Sequence, residues 1–143
     1  MSKVLLDTDI LSEILKGKNA TVMKRAAEYL AGEGRYTTTV LSVMEVVRGF
    51  YRIGAVDRAD QFVSFLSAVE VLPFDIESAI LAGRIDAALT NRGRIIGVAD
   101  VAIAACALVQ GHPVCTGNRE HYEYIQAAGF PVVLQNWRSA DDS

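Results

Sequence analysis

Short strand-like runs alternate with longer helix-like segments along this chain, and no other feature of the sequence restricts the fold as strongly. The strand-like runs are apolar or β-branched and cover residues 3–6, 36–39, 69–72, 113–115 and 132–134. Helix-like segments extend through residue 15 and over residues 21–31, 40–53, 57–68, 75–90 and 99–110. Strands separated by helices pair in parallel. The sequence therefore predicts an α/β fold with a central, mainly parallel sheet flanked by helices.

Length and apolar content favour a single domain. The chain has 143 residues, of which 51% are hydrophobic, and this is sufficient for one continuous core. We expect one domain over residues 1–143, with an ordered core at about residues 3–137 and a short acidic C-terminal tail.

The sequence predicts neither a leader peptide nor a membrane span. Three apolar residues precede Asp7, which is too few for the apolar region of a signal peptide. The longest uncharged apolar run, residues 101–109, is far below the roughly 20 residues of a spanning helix. The two cysteines, Cys106 and Cys115, have no metal-ligand spacing. We expect a soluble, cytoplasmic protein without a membrane partner.

The charge balance argues against a strongly basic nucleic-acid-binding domain. The net charge is -3 and the pI is about 5.3, so any contact with RNA must be local. Arginines gather at two places, Arg48, Arg52 and Arg58 in the middle of the chain and Arg92 and Arg94 before the most apolar helix. Each of them alone is also explained by a solvated helix face.

Two acidic residues stand where a parallel sheet binds ligands. Asp7 directly follows the first strand-like run, and ligands of such sheets bind at the carboxyl ends of the strands. Asp7 could instead cap the next helix, but a cap leaves Asp9 unexplained. Asp100 lies in the first turn of the most apolar helix, where an acid also complements the helix dipole.

Glu45 and Asn118 complete the set of candidates. Glu45 has apolar neighbours on nearly every side of its helix, so its charge needs a nearby cation or an ion pair with Arg48. Asn118 follows the fourth strand-like run and fits a helix cap, a neutral oxygen ligand or a residue that orients a bound water. Clustered carboxylates repel one another unless a hard divalent cation lies between them. The coincidence of these positions therefore predicts a metal site.

Four segments carry a family resemblance, and they read Asp7-Thr8-Asp9-Ile10-Leu11, then Glu45-Val46-Val47-Arg48-Gly49, then Gly93-Arg94-Ile95-Ile96-Gly97-Val98-Ala99-Asp100 with Ile103-Ala104-Ala105, and finally Thr116-Gly117-Asn118-Arg119-Glu120-His121-Tyr122. In order and local motif the chain resembles the PIN-domain nucleases and, among them, the VapC-type toxins of toxin–antitoxin pairs. The resemblance extends over residues 3–137 and implies a PIN-like fold.

The resemblance implies an endoribonuclease in which Asp7, Glu45 and Asp100 bind Mg²⁺, with Mn²⁺ as a substitute. The last acidic position of the family falls on Asn118, so the resemblance leaves open whether one or two metal ions bind. Asp9 and Glu120 are auxiliary candidates that could supply the missing acid. It further implies an RNA substrate, a homodimer and a VapB-like antitoxin as partner. Candidate phosphate-binding residues are Arg48, Arg52, Arg92 and Arg94.

Two alternatives stay open at this point. A phosphatase of the haloacid dehalogenase type would use Asp7 and Asp9 as nucleophile and acid, yet that class normally has a downstream lysine, and the last lysine here is Lys24. A catalytically degenerate PIN module that binds RNA without cutting it is suggested by Asn118, whereas the three intact carboxylates argue against it.

Overall fold

The fold is organised around a five-stranded parallel sheet. A computed structural model describes residues 3–139. Its strands are β1 (Leu5–Leu6), β2 (Tyr36–Thr39), β3 (Val69–Leu72), β4 (Val114–Cys115) and β5 (Leu134–Gln135). Their order across the sheet is β3-β2-β1-β4-β5, and each neighbouring pair is parallel. The predicted α/β class with its parallel sheet is confirmed.

The strand order creates a switch point beside β1. The chain builds β2 and β3 on one side of β1 and then crosses to place β4 and β5 on the other side. In the centre, Leu5 pairs with Thr37 of β2 and with Val114 of β4. The carboxyl ends of β1 and β4 therefore lie next to each other at the position where open α/β sheets bind ligands.

Helices cover both faces of the sheet. They are α1 (Thr8–Lys16), α2 (Ala20–Glu33), α3 (Val40–Arg52), α4 (Val56–Phe65), α5 (Ile76–Asn91), α6 (Val98–Gln110) and α7 (Arg119–Ala127). Within residues 3–139, no helix is long and apolar enough to cross a membrane.

Local signals explain where these helices begin and end. Thr39 caps α3, because its hydroxyl oxygen accepts a hydrogen bond from the N–H of Ser42 at 3.2 Å. Gly17 ends α1 in the left-handed conformation, with φ of 67°, where its N–H donates to the carbonyl of Glu13. The start of α3 at Val40 agrees with the sequence prediction, and α1 extends one residue beyond its predicted end at residue 15. Both helices carry candidate site residues.

Two apolar cores, one on each side of the sheet, hold the layers together. One contains the fully buried Leu89 of α5 and Ile103 of α6, and the other contains Leu11 of α1 and Phe62 of α4. Every residue from 101 to 107 on α6 is buried, as its apolar sequence predicts. Fixing α6 in the core in this way also fixes the polar residues at its start.

The structure departs from the sequence prediction in a few segments. Helix α7 was not among the predicted helices, and β1, β4 and β5 are shorter than or offset from their predicted ranges. The helix predicted for residues 57–68 ends at Phe65, and Leu66–Ala68 form a 3-10 turn. The acidic residues Asp141 and Asp142 of the expected tail lie outside the described residues.

Candidate active site

The candidate acids converge on the carboxyl edge of the sheet. Asp7 directly follows β1 and stands at the N-cap of α1, so both the ligand and the cap interpretations describe its position. Glu45 lies on α3, which directly follows β2, and Asp100 lies in the first turn of α6. Asn118 follows β4 at the N-cap of α7, without a side-chain capping bond.

Asp7 is held in one orientation by three hydrogen bonds. Its Oδ1 accepts from the N–H of Thr8 at 2.8 Å. Its Oδ2 accepts from the hydroxyls of Thr116 and Tyr122 at 2.9 and 3.0 Å. The side chain is 4% exposed, so the orientation of this carboxylate is set by the fold and not by solvent.

The electrostatic surroundings of Asp7 are those of a crowded acidic site. Burial raises the pKa of Asp7 from its ordinary value of 3.8 to about 7, and the negative charges of Asp9 and Asp100 act in the same direction. Hydrogen bonds from Thr116 and Thr8 act the other way. A nearby cation would favour the charged form of this group, so the site is electrostatically suited to one.

Thr8 connects Glu45 to this centre. Its backbone N–H donates to Asp7, and its hydroxyl donates to Oε1 of Glu45 at 2.5 Å. Among the ion pairs of residues 3–139, none joins Glu45 to Arg48. The half-buried Glu45 therefore faces α1 and the site, with Thr8 as its hydrogen-bond donor.

Asp100 is bound by two residues of the segment that follows β4. Its Oδ2 lies 2.6 Å from Nδ1 of His121 and accepts from Nδ2 of Asn118 at 3.3 Å. The short distance to His121 fits a ring that carries its proton on Nδ1 and donates it to the carboxylate. Asn118 thus contacts a candidate metal ligand through its side chain.

The two auxiliary candidates lie in different surroundings. Asp9 contacts the loop after β4, because its Oδ2 accepts from the N–H of Gly117 at 2.8 Å. Glu120 is exposed on α7, and its Oε1 accepts from the hydroxyl of Tyr124 at 2.8 Å. Asp9 is thus part of the cluster that surrounds Asp7, while the observed contact of Glu120 is directed along its own helix.

The candidate phosphate-binding arginines are all exposed. Arg48 and Arg52 lie on α3, three and seven residues after Glu45 and hence on the same side of the helix. Arg92 follows α5, and the guanidinium of Arg94 lies 4.5 Å from the ring centre of Tyr124. Exposure leaves both predicted groups accessible to a ligand, and Arg48 and Arg52 share their helix with Glu45.

Three hydroxyl groups that hold the acids were not predicted from the sequence. Thr8, Thr116 and Tyr122 all occur inside the quoted motifs, but no role was given to them. The Thr8 hydroxyl contacts an acid 37 residues away in the sequence. The hydroxyls of Thr116 and Tyr122 contact an acid 109 and 115 residues away. A buried hydroxyl needs a hydrogen-bond partner, but α7 was not predicted, so the burial of Tyr122 on this helix could not be inferred from the sequence.

The donor chemistry of the site fits a hard divalent cation. Asp7, Glu45 and Asp100 supply carboxylate oxygens and Asn118 an amide oxygen, which are the ligands that Mg²⁺ and Mn²⁺ prefer. Over residues 3–139, no three His, Cys, Asp or Glu side chains converge at the spacing of a formed metal centre. Each of the three carboxylates lies at this edge of the sheet with at least one oxygen hydrogen-bonded to a protein donor.

Comparison with known proteins agrees with this combination of a parallel sheet and acids at its switch point. The family model for the PIN domain matches residues 4–126. The chain therefore belongs to the PIN-domain family.

Within this family its relatives are of the VapC type. The chain is 31% identical to the tRNA(fMet)-specific endonuclease VapC of Salmonella typhimurium over 138 residues, which cover 96% of this chain and 99% of the relative. It is 29% identical to Ribonuclease VapC1 of Methanocaldococcus jannaschii over 132 residues, covering 92% and 87%. The DNA-bound VapBC structure from Salmonella typhimurium superimposes with a TM-score of 0.79 at 29% identity, covering 96% of this chain and 99% of that one.

Proposed function

We propose that this protein is a metal-dependent endoribonuclease and the toxin component of a toxin–antitoxin pair. The observation that carries the proposal is the buried Asp7 at the switch point, whose pKa is raised by burial and by the charges of Asp9 and Asp100. Relatives named as VapC ribonucleases over nearly the full length of the chain support the same activity. The phosphatase alternative has no comparable support among the relatives.

Asp7, Glu45 and Asp100 would hold Mg²⁺, or Mn²⁺ in its place, and Asn118 would add an amide oxygen or keep Asp100 in position. Such an ion lowers the pKa of a bound water and stabilises charge on the phosphoryl and leaving oxygens. Thr116 and Tyr122 keep the Asp7 carboxylate directed to the site, and Thr8 does so for Glu45. Hydrolysis by water leaves a 5′-phosphate and a 3′-hydroxyl on the products.

A groove beside Glu45 suits an antitoxin tail. The cleft has a volume of about 400 Å³ and lies between α1, α3 and α4, and its lining is mostly apolar with Thr8 and Glu45 at one side and Lys16 and Arg58 at another. Solved neighbours of this fold include a VapBC complex. A VapB-like antitoxin that packs apolar side chains in this groove would cover Glu45 and block access to the site. The homodimer stays a prediction.

Transfer RNA is the first substrate to test, because one relative is named as a tRNA(fMet)-specific endonuclease. The purified protein is incubated with a transfer-RNA pool and with total RNA in Mg²⁺, with and without EDTA. Asp7→Asn removes the charge of the proposed ligand, and Asp86→Asn makes the same change at an exposed position of α5. We expect cleavage by wild type and Asp86→Asn, and none with EDTA or in Asp7→Asn.

Other outcomes point to the alternatives. Equal cleavage by wild type and Asp7→Asn would indicate a contaminating nuclease and remove the support for this site. RNA that is bound but left intact in Mg²⁺ and in Mn²⁺ would favour a binding module. Phosphate release from small phosphoesters without RNA cleavage would favour a phosphatase.

A further inference from the structure

Arg138, near the end of the described chain, reaches back to the first turns of α1. Its Nη1 lies 3.3 Å from Oδ2 of Asp9, and its Nη2 lies 3.9 Å from Oε1 of Glu13. The preceding residue, Trp137, is buried and packs on the ring of Tyr29 with 5.6 Å between ring centres. The guanidinium is therefore presented to α1 from an anchored position.

Asp9, in turn, holds the loop between β4 and α7. Its Oδ2 accepts from the N–H of Gly117 at 2.8 Å, and its Oδ1 accepts from the N–H of Ile10 at 2.8 Å. Gly117 lies between Thr116, which donates to Asp7, and Asn118, which donates to Asp100. The contact of Asp9 with Gly117 thus sets the position of two residues that touch the proposed metal ligands.

The approach of Arg138 leaves no space for a side chain at residue 117. A Cβ at this position would fall on Nη1 of Arg138 and lie 2.8 Å from Oδ2 of Asp9. The guanidinium therefore covers the loop where a side chain would otherwise project. It also places a positive charge against the half-buried carboxylate of Asp9, and a partner reduces the cost of burying that charge.

We infer that Arg138 and Asp9 form a latch that holds the loop of residues 116–118 against α1 and so keeps Thr116 and Asn118 in place for ion binding. The inference rests on the proposed function and extends it. Oδ2 of Asp9 pairs with Arg138, whereas no ion pair of residues 3–139 involves Asp7, so the latch assigns Asp9 as a positioning residue and not as a metal ligand. Arg138 acts on the site through Asp9 and through its cover of Gly117.

The latch is tested on the full chain with Arg138→Gln, Arg138→Lys and the control Arg35→Gln. Arg35 is an exposed arginine that pairs with Glu70 at 3.8 Å, away from the loop. The readouts are the amide hydrogen exchange of Gly117 by NMR, Mn²⁺ affinity by electron paramagnetic resonance, and the melting temperature. We expect Arg138→Gln to exchange faster at Gly117 and to bind Mn²⁺ about tenfold more weakly, the lower end of effects from residues that orient ligands.

The conservative variant and the control separate this role from a general loss of stability. Arg138→Lys keeps the charge but loses the fork that spans Asp9 and Glu13, so it should weaken Mn²⁺ binding less than Arg138→Gln does. Arg35→Gln should leave both readouts at the wild-type level. Wild-type Mn²⁺ affinity in Arg138→Gln overturns the latch, whatever the exchange rate of Gly117.

Gly117→Ala provides a second route to the same contact. The added methyl group displaces the guanidinium, which is the end of a flexible side chain, and also meets Oδ2 of Asp9 at 2.8 Å. Gly117→Ala should therefore weaken Mn²⁺ binding at least as much as Arg138→Gln does, and the double variant should be no weaker than Gly117→Ala alone. Additive losses would contradict the latch. Failure of wild type to bind Mn²⁺ overturns the proposed function and the latch together, whereas wild-type binding that is insensitive to Arg138 overturns the latch alone.

Discussion

Asp7 is the residue at which function and stability are opposed. Burying its charge close to Asp9 and Asp100 raises its pKa from 3.8 to about 7, so the folded state binds the proton more tightly than the unfolded chain does. For an acid with a raised pKa, the free energy of unfolding falls as pH rises through this window. The carboxylate is thus retained at a cost in stability, as expected of a group that needs a bound cation.

We predict that Asp7→Asn is more stable than wild type in EDTA at pH 8, by a few kcal/mol at about 1.4 kcal/mol per pKa unit. Thr116 and Tyr122 can accept from the new amide, because hydroxyls both donate and accept. The difference in the free energy of unfolding between Asp7→Asn and wild type should grow between pH 4 and pH 7, following the raised pKa of Asp7. It should disappear below pH 4. Urea unfolding across this range measures it.

Asp86→Asn is the control for this experiment, since Asp86 is exposed and the same substitution there should leave the unfolding profile close to that of wild type. Parallel profiles for Asp7→Asn and wild type from pH 4 to pH 8 would show that the charge of Asp7 is not costly in the folded protein. The electrostatic description of the site would then be wrong.

At the scale of elements, the sequence determines each helix and strand better than it determines their arrangement. Apolar character predicted both α3 and α6, and their predicted ranges, residues 40–53 and 99–110, agree with the structure to within one residue at each end. Helix α7 escaped prediction because it is mostly polar, although Tyr122 and Ile125, three residues apart, form its buried face. The placement of β4 beside β1 depends on packing between residues more than 100 positions apart, which no local pattern encodes. The acids could therefore be named from the sequence, but the hydroxyls that hold them could not.

Glu70 connects three elements at one end of the sheet. From β3 it pairs with Nζ of Lys3, next to β1, at 2.8 Å, and Arg35, next to β2, lies at 3.8 Å. The hydrogen bond from Lys3 and the positive charges of Lys3 and Arg35 hold the pKa of Glu70 below its ordinary value of 4.5. An acid with a lowered pKa stabilises the fold above its unfolded pKa, and this contribution is lost as pH falls through the folded value.

We therefore predict that Glu70→Gln lowers the free energy of unfolding at pH 7 by about 1 kcal/mol or less, because Lys3 is partly exposed and solvent screens the pair. The difference from wild type should shrink as pH falls below about 4.5. Thermal unfolding at pH 7 and pH 3 measures it, with Glu28→Gln, exposed on α2, as the control. A loss of the same size at both pH values would assign the role of Glu70 to packing instead of charge.

At the scale of the whole molecule, the charge distribution restricts how RNA can be held. A net charge of -3 gives no general attraction for a polyanion, and the acids at the switch point repel it in the absence of a cation. Attraction must come from local basic groups. Arg48 and Arg52 share a helix face with Glu45, so phosphates bound there would extend from the site along α3.

This arrangement predicts that RNA affinity depends far more on the two arginines of α3 than on two exposed lysines elsewhere in the chain. Arg48→Gln combined with Arg52→Gln should weaken RNA binding in Ca²⁺ or in an inactive Asp7→Asn background, and should reduce the dependence of log affinity on log salt by about one to two units. Lys18→Gln combined with Lys24→Gln removes equal charge from exposed positions at and before α2 and should change the slope little. Fluorescence anisotropy of a labelled transfer RNA at several salt concentrations measures both. If the two pairs reduce affinity and slope equally, RNA responds to the total charge of the molecule, and a phosphate track along α3 is excluded.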